Sequence, residues 1–77
     1  MPFDKEINLR GTVCPYNFVK SKLALEEIDI GQILRVIIDF PSAAEDVPRG
    51  MEYEGQEVLC VNSISKREWE ILIRRKK

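Results

Sequence analysis

Between Ile33 and Phe40 the chain is almost continuously apolar, interrupted only by Arg35 and Asp39. A run of this length and character reads as a central β-strand. Successive side chains of a strand point to opposite faces. Leu34, Val36, Ile38 and Phe40 therefore face one way, and Ile33, Arg35 and Ile37 the other. Such a strand has to be covered, and in a chain of 77 residues only the flanking segments can cover it. A chain this short forms one domain, residues 1–77, and buries only about 60–65% of the surface that its unfolded form exposes.

Upstream, Phe3, Lys5, Ile7 and Leu9 alternate with Asp4, Glu6, Asn8 and Arg10, the period-two pattern of a strand from Phe3 to Leu9. Gly11 then permits a turn that a larger residue resists. A helix is expected from about Pro15 to Ile28, with Gly31 as its stop signal. It carries two apolar stripes. Phe18, Ser21, Leu25 and Ile28, with Ala24 beside them, run its whole length and are assigned to the core. Tyr16, Val19 and Leu23 lie roughly opposite and remain partly exposed. That second stripe is either a docking patch or the ordinary scatter of surface apolar residues.

Downstream of the central strand, Ser42 and Glu45 fit a capping box. A short, irregular second helix is expected to end near Tyr53, bent or interrupted at Pro48, weakened at Gly50 and closed by Gly55. Gln56 to Ile64 returns to strand, with Val58, Cys60, Asn62 and Ile64 on one face. After a polar turn at Ser65 and Lys66, Trp69, Ile71 and Ile73 alternate with Glu68, Glu70, Leu72 and Arg74. The order is βαβαββ. Helix-linked strands run parallel and the last two pair as a hairpin. The expected fold is a two-layer α/β (α+β) sandwich: a mixed four-stranded sheet with both helices on one face.

Composition narrows the chemistry. The chain has two cysteines and no histidine. Cys-His metal sites and Cys-His catalytic pairs are excluded, and two cysteines cannot supply the four ligands of a structural zinc site. No metal and no cofactor are expected. A nucleophile here has to be activated by backbone dipoles and cations. No apolar run approaches the ~18–20 residues of a membrane helix, and the N-terminal stretch lacks a signal-peptide core, so a cytoplasmic location is expected.

Charge is unevenly spread. From Asp39 to Glu57 there are six acids against Arg49 alone, and from Lys66 to Lys77 six bases against Glu68 and Glu70. One reading is solvated faces and a frayed basic tail; the other is a surface that orients a partner protein or an RNA. The net charge of -1 argues against autonomous nucleic-acid binding, which needs clustered positive charge. RNA binding also needs exposed rings near the bases, whereas Trp69 reads as buried on the apolar face of its strand.

Arg10-Gly11-Thr12-Val13-Cys14-Pro15-Tyr16-Asn17 is the stretch with chemical character. Cys14 lies at a strand-to-helix corner, next to a proline suited to a first helical turn. A helix start presents unpaired N–H groups and the positive end of the peptide dipole. Both favour thiolate over thiol, and the thiolate is the nucleophile. Arg10 could add positive charge, and the Asn17 amide could contact a bound sulfur or a partner. Cys60, among β-branched and apolar neighbours, reads as core.

Leu9-Arg10-Gly11-x-x-Cys14-Pro15, a 13-residue helix, Gly31, a hydrophobic strand, Asp39-Phe40-Pro41 and Asp46-Val47-Pro48 together resemble the TusA family, also called SirA-like, from about Ile7 to Ile73. That family's mark is Cys-Pro-x-Pro at the start of the first helix; here Asn17 stands at the second proline. The resemblance implies a small cytoplasmic sulfur carrier rather than a self-standing enzyme. Cys14 would take sulfur as a persulfide from a cysteine desulfurase or other sulfurtransferase. A downstream acceptor protein, such as a tRNA-thiolation system, would receive it. Arg10, Gly11, Pro15, Tyr16, Asn17, Val19 and Leu23, with Lys20 and Lys22 nearby, are the expected contact residues; no membrane is involved. The competing reading is a non-catalytic interaction or regulatory module whose cysteine is incidental.

Overall fold

A computed structural model of the chain describes residues 2–13 and 15–77. The described elements are β1 (Lys5–Asn8), α1 (Tyr16–Glu26), β2 (Ile33–Ile38), α2 (Ala43–Tyr53), β3 (Glu57–Ser65) and β4 (Glu68–Arg74). They follow the βαβαββ order, and the sheet order is β1-β2-β4-β3. β1 and β2 are parallel, while β4 runs antiparallel to both of its neighbours, β2 and β3. Three strands thus point one way, and β4 is inserted between the second and third. Among the described residues, no helix is long and apolar enough to cross a membrane.

β2 and β4 form the floor of the core. Leu34, Val36 and Ile38 on β2 and Ile71 and Ile73 on β4 are fully buried. They pack with Ala24, Leu25 and Ile28 from the α1 side and Ala43, Val47 and Met51 of α2. At roughly 25 cal/mol per Å² of apolar area, this shared cluster is the main stabilising term of so small a domain. The opposite sheet face is polar with two apolar residues beneath. Leu72 pairs with Arg35 and Cys60, and Ile37 with Glu70 and Asn8. Long side chains cover them. Arg35 reaches Glu70 at 2.6 Å and Glu6 at 2.8 Å, and its guanidinium lies 5.6 Å from the Phe3 ring centroid. Phe3 was expected on the face of Ile7 and Leu9. It lies ahead of β1 and stacks beside Arg35 instead, a cation–π contact.

The first helix buries a different stripe from the one expected. Ser21, Ala24, Leu25 and Ile28 are buried as expected, but the first member is Asn17, at 0% exposure, not Phe18. Phe18 is half-buried and leans on α2 at Gly50, where an added Cβ would come 2.5 Å from Phe18 Cε1. Gly50 is therefore a packing requirement, not a weakness. α1 ends at Glu26, with Glu27 N and Ile28 N donating to Ala24 O and Leu25 O. Gly31 lies beyond, at φ +95, and its N–H donates to Arg75 O at 2.7 Å.

Five further expectations are corrected. Ser42 makes no side-chain cap bond; its φ of -68 and ψ of -23 are helical, whereas a capping side chain needs extended backbone. α2 continues through Pro48 to Tyr53. Proline removes one hydrogen bond there, and three fully buried side chains, Ala43, Val47 and Met51, hold the helix on the sheet regardless. On β3 the register shifts between Val58 and Cys60. One extra residue flips everything after it to the other face, so Cys60 is half-buried opposite Leu72, outside the core. Asn62 Nδ2 donates to its sulfur at 3.4 Å. Trp69 is half-buried at the edge of the core. The basic segment is not frayed throughout: Arg75 donates to the carbonyls of Glu26 and Ile28 at the end of α1, and Gln56 Oε1 accepts from Lys76 N at 2.7 Å.

Candidate functional site at the start of the first helix

The loop between β1 and α1 is held by the sheet below it. Leu9 N donates to Ile37 O at 2.8 Å, continuing the β1–β2 ladder by one residue, and the Leu9 side chain is 3% exposed. Asn8 Oδ1 accepts from Arg10 N at 3.0 Å. Gly11 then turns the chain at φ +82, a conformation natural to glycine and strained for other residues. Its N–H donates to Asp39 Oδ1 at 2.9 Å. Thr12 N donates back to Leu9 O at 3.0 Å and closes the turn. In the sequence Asp39 shows as a break in an apolar run, as part of an acidic stretch and in Asp39-Phe40-Pro41, but not as a partner of Gly11. The fold brings it under Gly11 because β2 runs parallel to β1, so both strands deliver their C-terminal ends to the same edge.

Cys14 lies outside the described residues. Its chain neighbours are exposed: Val13 at 48%, Pro15, and Tyr16 at 60%. Pro15 occupies the cap of α1 with φ -88 and ψ 4, just ahead of the first helical residue. Among the described residues, no side chain caps this helix, and its first turn holds no acid. Within its own first turn the positive end of the α1 dipole meets no acidic side chain. Asn17 N donates to Val13 O at 3.2 Å and Val19 N to Pro15 O at 3.2 Å.

The surrounding residues divide into three groups. Tyr16, Val19 and Leu23 are 60%, 45% and 57% exposed, an uncovered apolar stripe along the helix. Lys20 is exposed on the same helix, and Leu23 and Lys20 border a shallow groove of about 240 Å³ with Lys5, Ile7, Ala24 and Glu27. The nearby cations are mostly committed. Arg10 Nη2 pairs with Glu68 Oε1 at 3.0 Å, and that hydrogen bond raises the Arg10 pKa. Lys22 pairs with Glu54 at 2.9 Å. The third group is Asn17 by itself, expected as a contact residue for sulfur or a partner and found fully buried. Its Nδ2 and Oδ1 have no hydrogen-bond partner. An unpaired buried amide costs about 1–3 kcal/mol. Among the described residues, no group of three or more histidine, cysteine, aspartate or glutamate side chains could hold a metal ion.

The chain matches the family model described as sulfurtransferase TusA over residues 5–75. A protein of Archaeoglobus fulgidus named as a candidate sulfur carrier is 53% identical, over 91% of this chain and 80% of its own length. A Thermotoga maritima protein with the same designation is 39% identical, over 91% of this chain and 89% of its own. The crystal structure of a SirA-like protein from Desulfitobacterium hafniense superimposes with a TM-score of 0.82 at 21% identity. That match covers 96% of this chain and all of the other, and at that identity it speaks for the fold alone.

Proposed function

Because the chain belongs to the sulfurtransferase TusA family, whose model spans residues 5–75, we propose that it is a sulfur carrier that holds sulfur as a persulfide on Cys14. The observation that carries this reading is the start of α1, with no capping side chain and no acid in its first turn among the described residues, next to an exposed loop tied to the sheet through Gly11 and Asp39. Backbone N–H groups of this kind stabilise an anion without a histidine base.

In this mechanism the Cys14 thiolate attacks the terminal sulfur of a donor persulfide, donor–S–SH. The donor S–S bond breaks, the donor leaves as its thiolate, and Cys14–S–SH forms and ionises to Cys14–S–S⁻. An acceptor nucleophile then attacks the outer sulfur and releases the Cys14 thiolate. A cysteine desulfurase or another sulfurtransferase is the donor class, and a tRNA-thiolation system is one acceptor class. Tyr16, Val19, Leu23 and Lys20 form the contact surface for both. Arg10, bound to Glu68, steadies the loop more than it neutralises the sulfur anion. The relay is placed in the cytoplasm, where thiols are kept reduced.

Incubation with a cysteine desulfurase and cysteine should add ~32 Da at Cys14, seen by mass spectrometry and absent from Cys14→Ser. A wild-type protein that gains no mass, and whose thiol reacts with iodoacetamide no faster than free cysteine near neutral pH, would favour the non-catalytic interaction module instead.

A further inference from the structure

Asn17 and Ser21 are the only polar side chains among the described buried residues. Ser21 is accounted for: its Oγ donates to Asn17 O at 2.7 Å. The Asn17 carboxamide is not. It has two N–H donors and a carbonyl oxygen with room for two acceptor bonds, and none is used. Among the described residues, no group is placed to hydrogen-bond it.

Two geometric facts say where its partner lies. Asn17 is the second residue of α1, three positions after Cys14, and its own N–H is bonded to the residue preceding that cysteine. Side chains on a helix tilt toward its N-terminus, which favours partners for a first-turn side chain among the residues that precede the helix. At the position where the resembled family carries proline, this chain thus buries an unsatisfied donor in the first turn of a helix that no described side chain caps.

We propose that Asn17 binds the outer sulfur of loaded Cys14, its Nδ2–H groups donating to the persulfide anion. This rests on the sulfur-carrier reading and adds to it a residue that holds the cargo. Loading lengthens the cysteine side chain by one S–S bond, about 2.05 Å, and adds a terminal anion. The hydrogen bond to it is charge-assisted, the stronger kind. The orphaned amide gains its partner only in the loaded state, so the loaded state is favoured and its outer sulfur is sheltered from attack. Release then requires the acceptor to draw the sulfur away from Asn17.

The test loads wild type, Asn17→Ala and Asn17→Leu with inorganic polysulfide. The Cys14 thiolate takes one sulfur from the polysulfide dianion, leaving a dianion one sulfur shorter. Loading is confirmed by ~32 Da at Cys14. Two quantities are then read: the rate at which cyanide removes the outer sulfur as thiocyanate, and the change in Tm on loading. Wild type should lose sulfur about five-fold more slowly than either variant, the scale of one hydrogen bond. Loading should raise Tm in wild type and leave it unchanged in both variants. A purely structural Asn17 would shift Tm equally in loaded and unloaded protein and leave cyanolysis unchanged; that result overturns the proposal. Asn17→Leu removes the unpaired amide without opening a cavity, so a folded variant is available even where Asn17→Ala is unstable. If polysulfide loads Cys14 with the predicted Asn17 dependence but the desulfurase does not load it, the relay reading fails and the binding role of Asn17 stands.

Discussion

Glu70 lies on the polar face of the sheet with Arg35 Nε at 2.6 Å and Asn62 Nδ2 at 3.3 Å. The Arg35 hydrogen bond, against partial desolvation, holds its carboxyl below the usual carboxylate range. Unfolding returns Glu70 to an ordinary value near 4.3. A carboxyl depressed in the folded state stabilises the protein above the unfolded value and loses that contribution as pH falls through the folded one. Glu70→Gln should therefore lower stability near neutral pH by up to about 1 kcal/mol, given the partial exposure of the pair. It should also flatten the acid limb of a Tm-against-pH profile below about pH 4.3. A profile parallel to wild type throughout would mean that Glu70 is not a linked group. The same side chains shield Leu72 and Ile37, so Arg35→Ala should cost more than Glu70→Gln, because it also exposes apolar surface.

The two helices meet at Phe18 and Gly50. Gly50→Ala should gain helix propensity of about 1 kcal/mol and lose about 1–3 kcal/mol to overpacking against the ring. A net destabilisation is expected, read as a lower urea midpoint. In a Phe18→Leu background the same substitution should become neutral or stabilising, a coupling that a double-mutant cycle isolates. This contact also shows what sequence reasoning reaches and where it stops. The faces of β2 follow from the strand geometry of an almost continuous apolar run and those of β4 from its near period-two pattern, and the element order follows from the spacing of helical and strand patterns. Cys60 was misplaced because the register shift after Val58 has no local sequence signature. Pro48 and Gly50 were read for their backbone preferences, which the buried contacts of Val47, Met51 and Phe18 override. Asn17 reads from the sequence as a contact residue for sulfur or a partner, with nothing to mark it as buried. Its burial follows from how α1 is rotated on the sheet, which no window of sequence around it records. The loop at Gly11 was half visible: the glycine was, but its acceptor Asp39 becomes a neighbour only through parallel pairing.

The whole molecule is fastened at two opposite ends. At one, Asp39 and Asn8 hold the loop that precedes α1. At the other, Arg75 spans from the end of α1 to the turn at Gly31 and Gln32, and Gln56 receives Lys76 N. With β4 seated between β2 and β3, the sheet has no continuous centre until residues 68–74 are in place. Before then β3 has no strand to pair with, and β2 offers an open edge. A nascent chain still lacking those residues should be unable to hide its apolar side chains on the ribosome. A fragment ending at residue 66 should accordingly show no cooperative melting transition and should bind a hydrophobic dye; a sharp transition would mean that β1, α1, β2 and α2 form a stable unit unaided. The strand that turns two loose halves into one object is thus made after all the elements it joins, leaving the translation machinery and its attendant chaperones to shelter β1, α1, β2, α2 and β3 until it emerges.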